Sequence, residues 1–362
     1  MSLTVKSLNG DTAFLLTFNP PAASPSSPAL FPTSFTVLID PWLTGPATIL
    51  GSFFSVSEQR TRPCISSLEE LDQEPDIILI SQDKPDHCHE ETLRQLPRDC
   101  QSTILAIPSA AKKIRSWKHF REELIHALPK FDEHDKQSMF RLLLPPVTPR
   151  GSCGEVTVTW IPAKRDVSRL HHAVGITYRP PCSQLSSSPP RYLDLPQLPI
   201  SPPASPMSVR TIASSPCTIV PAPYNDREKT LSVLYSPHGV PYDLIQPYAS
   251  SHLVTESALP LTALVHSFDR VENPWYLGGN ISAGSPGGLH IARSLYAQTW
   301  ISAHDADKKN RGLSVMQTRI GKFAVEEIET MFKQGRDNKL RSSTPTKLVV
   351  LAAGEECQLE VG

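Results

Sequence analysis

Short apolar runs bounded by Pro, Gly or Asp recur along the chain and are typical of buried strands. Apolar positions with helical spacing, such as Ile114, Trp117 and Leu124, lie between some of these runs and indicate helices. Strands with interspersed helices predict a layered α/β protein, although periodicity alone does not distinguish a doubly wound sheet from a sandwich. The predicted strands are Phe35–Asp40, Asp76–Ser81, Thr103–Ile107, Glu155–Ile161, His172–Tyr178, Leu231–Ser236, Leu261–His266 and Thr299–Ala303, and the predicted helices are Glu90–Leu96, Ala110–Leu128 (N-cap Ser109), Gly288–Gln298 and Leu313–Lys333.

Two stretches rich in proline and serine interrupt this pattern, at residues 20–32 and 180–223. Such a composition buries too little apolar surface to order itself. Because the segments on either side complete one set of motifs, we interpret both stretches as insertions in a single domain that spans residues 1–362. The second insertion is expected to be disordered.

The balance of charge excludes several classes of partner. The formal net charge is −1, so no basic field favours nucleic acid.

The seven cysteines contain no CxxC pair, which argues against a disulfide framework and a structural zinc knuckle. No apolar run approaches the length of a membrane helix, and residues 1–10 lack the apolar core of a signal peptide. We therefore expect a cytoplasmic protein with no membrane span, and leave its oligomeric state open.

Acid, imidazole and thiol side chains are concentrated in one loop, residues 80–89 (ISQDKPDHCH), directly after a predicted buried strand. Strand ends are where α/β proteins commonly place their chemistry. The loop resembles the signature S/T-H-x-H-x-D-H of the metallo-β-lactamase superfamily. Its Asp-His pair is present as Asp86 and His87, whereas Gln82 and Lys84 stand where the first two histidines would be. An earlier segment, residues 35–43 (FTVLIDPWL), resembles the first motif of that superfamily, whose aspartate would be Asp40.

The resemblance implies a four-layer αββα sandwich and a metal site that retains only part of its ligand set. The positions of the first metal fall on Gln82, Lys84 and Lys164, none of which is a histidine. The ligands of the second metal are kept as Asp86, His87 and His304. Where relatives carry a bridging aspartate after a strand, this chain has His238, and imidazole is itself a good zinc ligand. The implied ligand set is therefore Asp86, His87, His238 and His304.

This set leaves two arrangements open. Either all four side chains bind the metal and the site is closed, or three bind it and water holds the fourth position, which suits hydrolysis. The expected cofactor is one divalent metal, zinc first, with iron or manganese as alternatives. Lys84 could stabilise a developing anion, and His238 could carry a proton. The alternative for Lys84 and Lys164 is that both are ordinary surface lysines.

Neighbouring residues are given supporting roles. His89 could be a metal ligand, but it is expected more often beside the site or at the N-terminus of a helix. Cys88 is expected to be structural, because a nucleophilic cysteine needs a paired histidine. Asp305 or Asp307 is expected to orient the His304 imidazole. The glycine-rich segment before the helix at Gly288 is interpreted as a flexible connection.

Two hypotheses about function follow. The first is a metal-dependent hydrolase of an ester, a lactone or a phosphodiester, with a small molecule as substrate and similarity to the lactonase and phospholipase D-like branch. The second is a pseudoenzyme or small-molecule binding protein that keeps the fold without catalysis. A nucleic-acid-processing role is disfavoured by the neutral charge. Fold analogy does not name a substrate.

Overall fold

Two seven-stranded mixed sheets face each other in the computed structural model, which describes residues 1–21, 34–146, 152–164, 166, 168–181, 230–334 and 345–360. The first sheet consists, in spatial order, of β20 (Glu356–Glu360), β1 (Ser2–Ser7), β2 (Phe14–Asn19), β3 (Phe35–Ile39), β6 (Ile77–Ile80), β7 (Thr103–Ala106) and β8 (Ile125–Ala127). The second consists of β19 (Lys347–Val349), β16 (Thr299–Ile301), β13 (Ala263–His266), β12 (Leu231–Ser236), β11 (His172–Arg179), β10 (Gly154–Pro162) and β9 (Phe140–Leu144).

Helices cover the outer face of each sheet. Helices α1 (Glu90–Leu93) and α2 (Pro108–Ser116) pack on the first sheet, as the shared core around Leu93, Ile114 and Ile78 shows. Helices α3 (Tyr242–Tyr248), α4 (Gly284–Ser294) and α5 (Val325–Gln334) pack on the second sheet. A third core lies between the sheets. These layers form an αββα sandwich, which confirms the predicted fold class.

The buried positions explain why the central strands were visible in the sequence. All residues of β3 and β6 are buried, because one face meets the other sheet and the opposite face meets the helices. A strand covered on both faces reads as a continuous apolar run rather than as an alternation. The strands β3, β6, β7 and β8 run parallel to one another, as do β12, β13, β16 and β19. Their carboxyl ends therefore meet along one edge of the sandwich.

Two small three-stranded sheets lie outside the sandwich. One has the order β15 (Asn280–Ser282), β14 (Arg270–Glu272), β18 (Arg319–Gly321), and the other has the order β17 (Lys308–Arg311), β5 (Ser55–Gln59), β4 (Ala47–Ile49). Single-turn 3₁₀ helices occur at Leu68–Glu70, Glu122–Leu124, Trp275–Leu277 and Leu313–Val315, and a π-helical turn at Ala249–Leu253 follows α3.

All four helix predictions are wrong in their bounds, and the helix predicted at Glu90–Leu96 ends at Leu93. The helix predicted from Ala110 to Leu128 ends at Ser116, just before Lys118 adopts a left-handed φ of 51°. Ser109 is not its N-cap, because Pro108 already occupies the first helical turn. The helix predicted at 288–298 spans 284–294. The one predicted from residue 313 begins only at 325, since residues 319–321 form a strand.

The glycine-rich connection is also more ordered than predicted, since it contains a 3₁₀ turn, β15 and the start of α4. The insertions predicted at 20–32 and 180–223 fall outside the described residues, apart from their first two residues each. Among the residues that the structure describes, no helix is long and apolar enough to cross a membrane.

Candidate metal centre

Three loops bring the predicted ligands together at the edge where the parallel strands end. The loop after β6 carries Asp86 and His87, the turn after β12 carries His238, and the loop after β16 carries His304. One ring nitrogen from each histidine lies within 4.8 Å of the other two. His87 and His238 are buried, and His304 is half-buried. The structure therefore places together the three histidines that the sequence assigned to one site.

Asp40, which follows β3, holds His87 in place. Its carboxylate Oδ2 lies 2.7 Å from His87 Nδ1 and accepts hydrogen bonds from the hydroxyls of Ser81 and Tyr235. Its other oxygen accepts the Ser81 backbone N–H at 2.6 Å. Such a set of donors on both oxygens requires an ionised carboxylate. Asp40 therefore takes the supporting position that its motif predicted.

The hydrogen-bond partners also define the tautomers of two rings. Because the Asp40 carboxylate only accepts hydrogen bonds, His87 Nδ1 carries a proton. His238 Nδ1 lies 2.9 Å from the carbonyl oxygen of Ile281, so this nitrogen is protonated as well. The two Nε2 atoms then face each other at 3.3 Å, each with a lone pair if both rings are neutral. Only a proton or a cation between them removes that repulsion.

Asp86 and His304 complete this arrangement. Asp86 Oδ2 lies 3.2 Å from His304 Nε2 and 3.9 Å from His87 Nε2. The other carboxylate oxygen, Oδ1, is buried and has no hydrogen-bond partner among the described residues. A buried carboxylate oxygen without a partner is costly unless a cation or water satisfies it.

The protonation equilibria of the cluster also suit a cation. Burial, together with repulsion by His304 and His87, holds the pKa of His238 well below its usual value, so its ring is neutral. Burial opposes ionisation of Asp86, but the neighbouring His87 and His304 hold its pKa well below the usual range. Burial disfavours the charged form of His87, yet the carboxylates of Asp86 and Asp40 raise its pKa. A metal would replace the His87 proton between the two rings.

The residues present thus fit a divalent metal ion. Three imidazole nitrogens and one carboxylate converge, which is a donor set that zinc prefers and that iron and manganese accept. The two rings whose outer nitrogens are fixed, His87 and His238, point their inner nitrogens into the cluster. Hydrogen bonding of the outer nitrogen to a carboxylate or a carbonyl is the usual support for a metal-binding histidine.

The positions of the first metal hold no such cluster among the described residues. Gln82 is fully buried, and its amide donates to the carbonyl oxygen of Leu170 at 3.1 Å. The Lys84 ammonium lies 3.7 Å from the Asp83 carboxylate, and its side chain is 30% exposed. Lys164 is exposed in a turn after β10. The structure therefore groups His87, His238 and His304, with Asp86 beside two of them, whereas Lys164 is not part of this cluster.

The prediction that Asp305 or Asp307 orients His304 is wrong. The Asp305 carboxylate accepts the backbone N–H groups of Phe268 and Asp269 and the Ser302 hydroxyl instead. Asp307 pairs at the surface with Arg60 at 3.4 Å. The loop after His304 carries two aspartates, and their spacing in the sequence does not show what either carboxylate contacts.

The helix-terminal role predicted for His89 is confirmed. His89 is the N-cap of α1, and its Nδ1 accepts the backbone N–H of Thr92 at 3.3 Å. It therefore directs a ring nitrogen towards the helix instead of towards the candidate ligands. The ordered helix start also helps to fix the end of the motif loop.

Three supporting residues escaped the sequence analysis. Tyr235 donates its hydroxyl to Asp40 at 2.9 Å. Asp11, in the loop between β1 and β2, accepts the Lys308 ammonium at 2.6 Å, and its carbonyl oxygen accepts the His304 backbone N–H at 2.9 Å. Burial opposes ionisation of Asp11, but Lys308 and His304 lower its pKa. Asp11 thus ties the loop of His304 to the first sheet.

Cys88 has the properties of a structural residue. Its side chain is buried, and burial raises the pKa of its thiol to about 12. A thiol with so high a pKa forms almost no thiolate at neutral pH, so a nucleophilic role is excluded. We expect iodoacetamide at neutral pH to modify Cys64 and Cys153, which are exposed, and to spare Cys88. Peptide mass mapping of native and denatured protein checks this, and rapid native labelling of Cys88 would contradict the assignment.

Comparison with known proteins agrees with the fold. Residues 32–142 match the family model described as the beta-lactamase superfamily domain. Isothiocyanate hydrolase from Delia radicum gut bacteria has a similar structure, with a TM-score of 0.50, 16% identity and coverage of 99% of this chain and 100% of that one. No curated protein matches the chain.

Two further solved structures are similar at lower TM-scores. A metallo hydrolase from the hyperthermophilic archaeon Ignicoccus hospitalis has a TM-score of 0.46 and 12% identity, and the match covers both chains entirely. CmlA, a diiron β-hydroxylase from Streptomyces venezuelae, has a TM-score of 0.47 and 11% identity, with 99% of this chain and 54% of that chain covered.

The chain thus has the metallo-β-lactamase fold, and the resemblance recognised in its motifs is confirmed. The matched family segment contains Asp40 and the loop of Asp86 and His87. His238 and His304 lie beyond it, and the structure brings them to the same place.

Proposed function

We propose that this protein is a metal-dependent hydrolase with a single divalent ion, held by Asp86, His87, His238 and His304. The observation that carries the proposal is the pair of buried imidazole nitrogens that face each other at 3.3 Å beside a carboxylate oxygen without a partner. The facing lone pairs need a proton or a cation between them, and a metal ion would also satisfy the carboxylate oxygen. Zinc suits this donor set best, and iron or manganese are alternatives.

The proposed reaction is attack of water on an ester, a lactone or a phosphodiester. A metal at this position would supply polarisation of the substrate oxygen and a lowered pKa for water. The chain contributes rigid placement: Asp40 fixes the His87 ring, and the Ile281 carbonyl oxygen fixes the His238 ring. His238 is either the fourth ligand or, if three residues suffice, a carrier of protons.

Lys84 is the proposed source of positive charge for the developing anion. It lies in the motif loop two residues before Asp86, and its only ion pair among the described residues is the long one to Asp83, at 3.7 Å. A weakly paired, partly exposed ammonium is free to approach an anionic substrate. Removal of one stabilising donor of this kind typically costs about 10²–10³ in kcat.

The second candidate is a pseudoenzyme or small-molecule binding protein. Gln82 and Lys84 favour it, because they replace two histidines of the superfamily motif. A cavity with a neutral amide and an ammonium could hold an anionic ligand without catalysis.

A substrate screen with metal depletion and reconstitution separates these candidates. We expect hydrolysis of an ester, a lactone or a phosphodiester that disappears after chelation and returns with zinc, iron or manganese. Lys84→Gln should then lower kcat more than it raises KM, whereas His134→Ala, at a side chain that is 87% exposed, should have no effect. Stoichiometric metal without any turnover in the screen would favour the pseudoenzyme.

A further inference from the structure

A group of large apolar side chains projects into solvent next to the candidate metal centre. Among the exposed hydrophobic residues of the described chain, seven belong to three neighbouring segments, and their exposed fractions range from 46% to 87%. Single exposed apolar side chains are common, but a contiguous set marks an interaction surface. We call this set the apolar rim, and it consists of Leu50, Phe53, Trp275, Tyr276, Leu313, Met316 and Ile320.

Hydrogen bonds show that the three segments of the rim touch. The backbone N–H of Leu313 donates to the carbonyl oxygen of Phe53 at 3.1 Å, which joins the β4–β5 hairpin to the segment after β17. The Tyr276 hydroxyl donates to Gln317 Oε1 at 2.8 Å, which joins that segment to the 3₁₀ turn before β15. In addition, β14 and β18 pair as neighbouring strands. The rim is therefore one continuous surface.

Each segment of the rim continues from a loop of the metal centre. The β4–β5 hairpin follows Asp40 in the chain, and β17 follows His304. The turn that carries Trp275 and Tyr276 leads into β15, where the Ile281 carbonyl oxygen meets His238 Nδ1 at 2.9 Å. The segments of the rim are therefore connected directly to the loops that carry the candidate ligands.

A basic segment runs through the rim, and two of its five cations, Arg319 and Lys322, have no ion pair among the described residues. Residues 308–322 (KKNRGLSVMQTRIGK) contain five lysines and arginines and no aspartate or glutamate, in a chain whose net charge is only −1. Lys308 is occupied by Asp11, and Glu58 faces both Lys309 and Arg311. Arg319 and Lys322 flank Ile320 and are exposed. Exposed apolar side chains and cationic side chains thus alternate along this segment.

We propose that the apolar rim docks the protein on an anionic lipid surface. Tryptophan, tyrosine and aliphatic side chains that insert at the interface, with cations that meet anionic headgroups, are the combination by which peripheral proteins bind membranes. Charge complementarity selects this occupant over a second copy of the chain, since the exposed Arg319 and Lys322 of two facing copies would repel each other. Each cation near an anionic surface strengthens binding roughly fivefold.

Docking on lipid would also define a substrate class, a step that rests on the proposed hydrolase function. The metal centre would then face molecules presented from the lipid surface. The substrate class that follows is an amphiphilic ester or phosphodiester, whose apolar chain would contact the rim.

Co-sedimentation with vesicles tests the docking without any assay of hydrolysis. Failure of the docking proposal is therefore distinguishable from failure of the proposed hydrolase function. The full chain is mixed with vesicles of phosphatidylcholine alone or with added phosphatidylserine. We expect binding only to the anionic vesicles, weakened at least tenfold by high salt. Trp275→Ala with Met316→Ala, and separately Arg319→Gln with Lys322→Gln, should each lower the binding constant tenfold or more.

Matched controls come from exposed residues elsewhere. Leu143→Ala with Val254→Ala, and Lys112→Gln with Lys136→Gln, remove similar groups away from the rim and should leave binding unchanged. No binding to anionic vesicles, or equal losses in rim and control variants, would overturn the proposal. Light scattering on the same samples tests whether the rim binds a second copy of the chain instead. Self-association that only the rim variants abolish, in a protein that does not bind vesicles, would overturn lipid docking and assign the rim to that second copy.

Discussion

Asp86→Ala and His304→Ala will each release the metal from the purified protein. Their side chains meet at 3.2 Å, and each supplies one of the four donors of the proposed ion. Loss of a partner that only orients a ligand costs about 10–100-fold in metal affinity, and loss of a ligand itself should exceed that. We expect metal content close to zero in both variants and no detectable hydrolysis. Elemental analysis beside circular dichroism checks the content and the fold together.

The control for these substitutions is His134→Ala, which removes an imidazole whose side chain is 87% exposed and lies outside the cluster. It should keep the wild-type metal content. If Asp86→Ala or His304→Ala retained a full complement of metal while folded, the proposed ligand set would be incorrect.

Asp40→Asn will weaken both the fold and the metal centre. The substitution keeps the shape and tolerates the left-handed φ of 44° at this position, but it replaces an acceptor oxygen with a donor amide. Four buried hydrogen bonds from Ser81, His87 and Tyr235 depend on that carboxylate. Removing the charge of one partner in a buried ion pair typically lowers the free energy of unfolding by about 3–5 kcal/mol. We expect a loss of that size, measured by urea unfolding, and metal affinity reduced about 10–100-fold.

Asp76→Asn is the matched control for Asp40→Asn. Asp76 also accepts hydrogen bonds from a strand neighbour, the backbone N–H and the hydroxyl of Thr36, but it is exposed and precedes β6 instead of following it. It should cost about 1 kcal/mol and leave metal affinity unchanged. Equal effects of the two substitutions on metal affinity would contradict the role assigned to Asp40.

The fold was predictable where burial makes the chain apolar on both faces. β6 appears as an uninterrupted apolar run, and β3 and β12 are broken only by hydroxyl residues, because sheets and helices exclude water from both sides. The helix ends were less predictable. Lys118 stops α2 through its left-handed backbone, although its residue type gives no such signal. Leu313 and Ser314 donate hydrogen bonds to the β4–β5 hairpin, a contact across more than 250 positions.

The candidate site was predictable where a motif keeps its residue types. Asp86 and His87 remain in the signature, and the spacing after the later strands leads to His238 and His304. The Ile281 carbonyl oxygen that fixes His238 was not predictable, because every residue carries an identical carbonyl. Asp11 and Lys308 lie 297 positions apart, and neither belongs to a motif. Only the folded chain reveals such pairs.

The central claim is that one divalent ion binds between the rings of His87 and His238. Elemental analysis of protein purified without a chelator and without metal-affinity chromatography tests it most directly. We predict about one zinc, iron or manganese ion per chain, before or after reconstitution. Two ions per chain, or none even after reconstitution, would contradict the single-metal site.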